Sequence, residues 1–251
     1  AALMAPTEIL AEQHYRKLSQ WLAPLGLEIA WLSGSLKKKD KAAMAEAISS
    51  GRAPLAIGTH ALIEEAVDFR RLGLAIIDEQ HRFGVRQRLT LREKGANPHQ
   101  LMMSATPIPR TLAMSYYADL DVSVIDELPP GRKPVLTKLV SEARRDEVIA
   151  RIRDACDAGR QAYWVCPLIE ESEKLQLQTA VDTFERLRAE LPALKVGLVH
   201  GRLKGEEKAA VMGAFAAGRV QLLVATTVIE VGVDVANASL MVIEHAERFG
   251  L

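Results

Sequence analysis

The chain has 251 residues, 49% of them hydrophobic and 25% charged, which excludes a disordered polymer and leaves room for one large domain or two of medium size. Its 32 basic and 32 acidic residues cancel, so a nucleic-acid partner has to be held by local donors and basic side chains and not by a global positive field. No stretch approaches the roughly 20 apolar residues of a membrane span, and the start AALMAPTEIL lacks the basic region of a secretory signal, so a cytoplasmic protein is expected.

In chain order, the first apolar runs are AALMAP, LEIAWLSG, PLAIGT, LAIIDEQ and QLMMSATP. After DELPPGRKP, Asp126 to Pro134, come QAYWVCPL, KVGLVHG, QLLVAT and SLMVIEH. They are continuous and not alternating, the pattern of strands buried on both faces of a parallel sheet. Helical patterns separate them, as in VDTFERLRAEL, where Val181, Phe184, Leu187 and Leu191 share a face. One segment occurs twice: GSLKKKDKAAMAEAISSGRAPLAIGT (Gly34 to Thr59) aligns without gaps on GRLKGEEKAAVMGAFAAGRVQLLVAT (Gly201 to Thr226), with about 11 of about 26 positions identical. A duplicated turn, helix and strand implies two related α/β lobes joined at the proline- and glycine-bearing DELPPGRKP. Because the chain opens inside one apolar run and stops just after another, both lobes are expected to be incomplete at the chain ends.

In parallel sheets, ligands collect at the carboxyl ends of strands. The residues there are Pro6 to Glu8, Gly58 to His60, Asp78 to His81, Ser104 to Pro107, His200 to Arg202 and Ala225 to Thr227. Most are small or hydroxyl-bearing, which suits phosphate oxygens, although such residues also serve as ordinary caps and turns. Asp78 and Glu79 are different. Adjacent carboxylates at a buried strand end repel and lose hydration unless a cation and a reacting water belong there. Phosphoryl hydrolysis fits: Asp78 would hold Mg²⁺ directly or through water, and Glu79 would orient and deprotonate the attacking water. The structural alternative is Asp78 as a helix cap and Glu79 as a solvated acid.

DEQHRFG, together with MMSATPIPRTLAMSYYADLDVSVIDELPPGR, QAYWVCPLIEESE, VGLVHGRLKGEEK and LLVATTVIEVGVDVANASLMVIEHAERFGL, resembles the helicase core of the RecG family within superfamily 2. The resemblance covers essentially the whole chain and implies two tandem RecA-like doubly wound parallel-sheet lobes, residues 1–128 and 129–251. The implied activity is ATP- and Mg²⁺-dependent translocation on branched DNA, replication forks and Holliday junctions, by a monomer, in recombination and repair. By the same resemblance Pro6, Thr7, Thr59 and His60 would touch a DNA strand from the first lobe, and His200, Gly201, Thr226 and Thr227 from the second. Gln80 and His81 would face the other lobe, Ser104, Ala105 and Thr106 would couple hydrolysis to movement, and Glu230, Gly232 and Asp234 would reach the nucleotide cleft.

The transcription-repair coupling factor and the primosomal helicase share the DExH and SATPIPR-like blocks and stay open as relatives; an ATPase-inactive DNA-binding fragment and a metal-dependent phosphohydrolase are further alternatives. No GxxxxGK[ST] phosphate loop occurs in the sequence. In the family that loop precedes residue 1 and the arginine-finger motif follows ERFGL, so the isolated chain is expected to be inactive. LKKKDK reads as a solvated helix start, Trp21, Trp31 and Trp164 as packing aromatics, and Cys156 and Cys166 as buried small hydrophobes outside any disulfide or zinc pattern.

Overall fold

The structure, a computed structural model, describes residues 1–105, 121–132, 134–166, 173–226 and 235–249. The apolar runs form two sheets. β1 (Ala2–Met4), β2 (Ile29–Leu32), β3 (Leu55–Gly58), β4 (Leu74–Ile77) and β5 (His99–Met102) are ordered β2-β3-β1-β4-β5. β6 (Gln161–Val165), β7 (Val196–Val199), β8 (Leu222–Ala225) and β9 (Ala238–Ile243) are ordered β7-β8-β6-β9. Each pairing is parallel. In the first lobe α1 (Glu8–Leu22) follows β1, α2 (Lys38–Ser50) follows β2, and α3 (Val85–Glu93) lies between β4 and β5. In the second, α4 (Arg145–Asp157) leads into β6, α5 (Glu173–Glu190) into β7, and α6 (Gly205–Ala216) into β8.

Successive strand residues feed opposite faces, and both faces are buried. Ala2, Met4, Ala30 and Leu32 join one core cluster while Leu3, Ile29 and Ile57 join another. In the second lobe Ala162, Trp164, Leu222 and Val224 point one way and Tyr163, Val165, Leu223 and Ala225 the other. Burying both faces is what the continuous apolar runs require. Two of the four edge strands depart from that expectation. In β5, Leu101 is 49% exposed, and in β9, Met241 and Ile243 are 54% and 47% exposed. These strands have a neighbour on one side only among the described residues.

The duplication is visible as matched hydrogen bonds. α2 ends at Gly51 (φ 78°), whose N–H donates to Ile48, and Ala53 donates to Ala47. After α6, Gly218 (φ 73°) donates to Phe215 and Val220 to Ala214. Left-handed φ is open to glycine at little cost, which is why both repeats keep Gly-Arg there. Thr59 then donates to Leu32 and Thr226 to Val199, at 3.1 and 3.2 Å.

Residues 121–132 and 134–140 are exposed and in neither helix nor strand. Lys37 to Lys39 are solvated at the start of α2. Cys156 and Cys166 are buried free thiols. Of the tryptophans, Trp164 is buried and Trp31 packs on Tyr15 with ring centroids 5.5 Å apart. Trp21 corrects the packing expectation: it is 62% exposed, with the Lys17 ammonium 5.4 Å from its ring centroid. Its position near the C-terminus of α1, away from the sheet, leaves it nothing to pack under. Among the described residues no helix is long and apolar enough to cross a membrane.

Candidate active site

Since all strands run in parallel, their carboxyl ends lie along one edge, and the strand order decides which segments are neighbours. From β2 to β5 that edge reads Ser33, Thr59, Ala5, Asp78 and Met103, with Pro6 and Ser104 one residue beyond it. β1 therefore separates two kinds of strand end: Thr59 lies on one side of it, and Asp78 to His81 with Ser104 lies on the other. In the second lobe the edge reads His200, Thr226, Cys166 and Glu244.

At the end of β4 the Asp78 N–H still follows the ladder, donating to Met4 at 2.9 Å. The chain then breaks sharply. Glu79 takes the left-handed conformation, φ 45° and ψ 52°, and its N–H donates to Asp78 Oδ1 at 2.9 Å. A non-glycine residue held there costs about 1–2 kcal/mol, a strain that persists where surrounding structure enforces it, commonly at functional sites. The second Asp78 oxygen, Oδ2, bonds to His14 Nε2 of α1 at 2.7 Å. That hydrogen bond holds the Asp78 carboxyl below its ordinary pKa, against the opposing effect of its partial burial. A depressed folded-state pKa means that Asp78 contributes to stability above the usual carboxylate range and loses that contribution as pH falls through it.

Farther along, His81 Nδ1 lies 3.3 Å from Ser104 Oγ and 3.5 Å from Glu79 Oε2. One imidazole thus links the acid pair to the end of the next strand. Gln80 is buried; its backbone N–H donates to Met103 and its carbonyl accepts from Arg88, while Oε1 has no partner among the described residues. On the other side of β1, Thr7 caps α1 by accepting from the Leu10 N–H at 3.3 Å. Glu8 accepts from both the N–H and the hydroxyl of Ser35, each at 3.0 Å.

The chain is similar to known proteins along its whole length. A DEAD/DEAH box helicase model matches residues 1–115, and a helicase conserved C-terminal domain model matches residues 141–248. The chain is 62% identical to the ATP-dependent DNA helicase RecG of Escherichia coli K12, covering 100% of this chain and 37% of that protein. The RecG of Aquifex aeolicus is 52% identical, again over the whole chain, which spans 32% of it. The chain belongs to the RecG family. A solved structure of RecG bound to a three-way DNA junction superimposes with a TM-score of 0.74 at 48% identity, covering 99% of this chain and 32% of that one. Yeast Dbp5 bound to RNA and ADP BeF3, at TM-score 0.70 and 16% identity, shows the same fold.

In this RecG-family chain the expected site residues separate by exposure. Asp78, Glu79, Pro6, Thr7 and His200 are half-buried, and His60, His81, Ser104, Ala105 and Gly201 are exposed. Thr59 and Thr226 are 2% and 5% exposed, so neither hydroxyl is offered on the surface, and Thr59 Oγ1 has no partner among the described residues. Burial, then the nearby charges of Lys208 and Arg202, push the His200 pKa down. Thr106, Thr227, Glu230, Gly232 and Asp234 lie outside the described residues.

Sequence reasoning missed His14. A signal existed: it follows buried Leu10 and Ala11 at helical spacing, so a polar side chain is aimed at the sheet. Replacing His14 by Ala should leave Asp78 with one fixed oxygen and, if the full-length protein hydrolyses ATP at this site, lower that turnover about tenfold. His14→Gln, whose amide N–H can reach the same place, should retain most of it. Equal losses in the two variants would show that the hydrogen bond is not what matters.

Proposed function

We propose that this chain is the motor core of an ATP-dependent DNA helicase that migrates branches and regresses forks in recombination and DNA repair. The observation that carries it is the strained acid pair at the carboxyl edge of a parallel sheet, with Glu79 left-handed and Asp78 clamped on both oxygens. RecG relatives at 62% identity favour this reading over the transcription-repair coupling factor and the primosomal helicase. Because the chain spans 37% of those relatives, the activity belongs to a protein that supplies the remaining parts.

Glu79 orients the attacking water and takes its proton. Asp78, fixed by His14 and the Glu79 N–H, is the metal-facing acid. No group of three His, Cys, Asp or Glu able to hold a metal occurs among the described residues. A single acid whose oxygens are already engaged suits Mg²⁺ held through water and completed by phosphate oxygens, not a protein cage. When bound, Mg²⁺ neutralises charge on the transferred phosphate. His81 passes the state of Glu79 to Ser104. His60, exposed after β3, and Gly201, exposed after β7, grip one DNA strand from the two lobes, which approach and separate as nucleotide binds and leaves.

ATP hydrolysis by the full-length protein should rise severalfold with a three-way junction, and the 251-residue chain alone should turn over negligibly. No response to branched DNA would remove the reading. The DNA grip has its own test. His60 is exposed, so His60→Ala should leave stability nearly unchanged while weakening DNA binding several-fold. Parallel losses of melting temperature and affinity would make His60 merely structural.

A further inference from the structure

The acid site of the first lobe has a counterpart in the second. Asp78 donates its N–H to Met4, the last residue of β1, at 2.9 Å; Glu244 donates to Val165, the last residue of β6, at 3.0 Å. The next ladder bonds also match: Ala5 donates to Gly58 at 3.0 Å and Cys166 to Ala225 at 2.8 Å. Glu244 therefore stands where Asp78 stands, and His245 where Glu79 stands. His245 has φ 47° against 45° for Glu79, and these two are the non-glycine residues with positive φ among the described residues. Even the supporting helix corresponds. α1 and α5 each follow the first strand of their lobe, and each carries a fully buried alanine, Ala11 or Ala180, three positions before the side chain that meets the acid. His14 bonds to Asp78, and the Thr183 hydroxyl donates to Glu244 Oε2 at 3.4 Å.

The lobes differ in what faces the acid. Glu244 Oε1 accepts from the Arg145 guanidinium, with only 20% and 10% of the two side chains exposed. The guanidinium carbon sits 4.9 Å from the Trp164 ring centroid, and the Cys166 thiol donates to Glu244 Oε2 at 3.6 Å. Arg145 is the first residue of α4, the helix that leads into β6. In phosphate-binding α/β folds a helix N-terminus and its adjoining cation face the strand-end acid across a bound nucleotide. Here a side chain of the same lobe reaches the acid directly.

We propose that the end of β9 is a self-filled counterpart of the hydrolytic acid site, in which Arg145 supplies, as a tethered guanidinium, the positive charge that a dissociable cation supplies at Asp78. Arg145 is thus a positioning residue. It holds Glu244 and the strained turn at His245 in place without nucleotide, so the second lobe keeps the shape of an acid site but not its openness. The proposal rests on Asp78 being the metal-facing acid.

A cavity of about 240 Å³ beside the pair, lined among others by Arg145, Asp182, Thr183, Glu244 and His245, gives a small cation access once the arginine is shortened. The test is chemical rescue in the full-length protein. Arg145→Ala strands a buried carboxylate and should lower the melting temperature by roughly 5–10 °C. Methylguanidinium at about 10 mM, far below denaturing concentrations, should restore at least about half of that loss and leave the unaltered protein unchanged. Arg145→Lys should retain much of the stability. Adding Glu244→Gln to Arg145→Ala should recover most of the loss and abolish the response to methylguanidinium. Absence of rescue, or additive losses in the double variant, overturns the proposal. If Arg145→Ala does not accumulate folded, the double variant still should, and its failure to fold has the same meaning. The readout needs no turnover, so it stands apart from any failure of the hydrolysis reading, which Glu79 variants report.

Discussion

Glu79→Gln in the full-length protein should lower ATP turnover by about two to four orders of magnitude while leaving ATP binding within about twofold. Gln keeps the size of Glu and can hold the same turn, because the left-handed backbone at φ 45° is set by the Asp78 Oδ1 contact and the ladder bond from Asp78 to Met4. What it lacks is a group able to accept the proton of water. The measurement is steady-state hydrolysis with a model fork, with nucleotide affinity followed by a fluorescent analogue. Unchanged turnover would make DEQH a structural turn. Loss of binding together with turnover would instead mean that Glu79 shapes the nucleotide pocket.

The second large effect concerns the backbone beside Thr59. A Cβ at Gly58 would lie 2.0 Å from the Leu32 carbonyl oxygen, the atom that accepts the Thr59 N–H. Backbone on both sides cannot yield as a side-chain tip can, so Gly58→Ala should cost about 3 kcal/mol and lower the melting transition of the first lobe by roughly 10 °C. DNA affinity should fall with it, because the displaced ladder bond at Thr59 sets the position of the exposed His60 that follows. Its counterpart in the second lobe is already Ala225. Ala225→Gly should therefore cost only about 1 kcal/mol, the usual penalty of glycine in a strand. A Gly58→Ala protein that melts within a degree or two of the parent would show that β2 and β3 can separate freely at this end.

Much of the fold was legible because it rests on local pattern. Continuous apolar runs marked the strands, Gly51 and Gly218 marked matched helix ends, and the ungapped repeat implied two lobes before any strand order was known. The acid pair was legible for the same reason: Asp78 and Glu79 are adjacent in sequence, so their mutual repulsion is a local fact. Edge strands were not legible. QLMMSA and SLMVI read as buried on both faces, yet only sheet order tells which strands lack a second neighbour. Thr59 and Thr226 read as surface hydroxyls, since residue type and strand-end position say nothing about what covers them.

By itself, then, the sequence determined the number of lobes, the parallel strands, the duplicated unit, the acid pair and the membership of a family. Only the tertiary structure decided which strand ends are neighbours and which side chains meet there. The His14 to Asp78 bond spans 64 positions and the Arg145 to Glu244 pair spans 99. Such contacts carry no sequence period, because they depend on crossovers that bring a helix face over a strand several elements away. The left-handed turns at Glu79 and His245 are of the same kind. Neither residue prefers that backbone, and each adopts it because the ladder ahead of it and the partners of the neighbouring acid leave the chain no lower-energy way to turn.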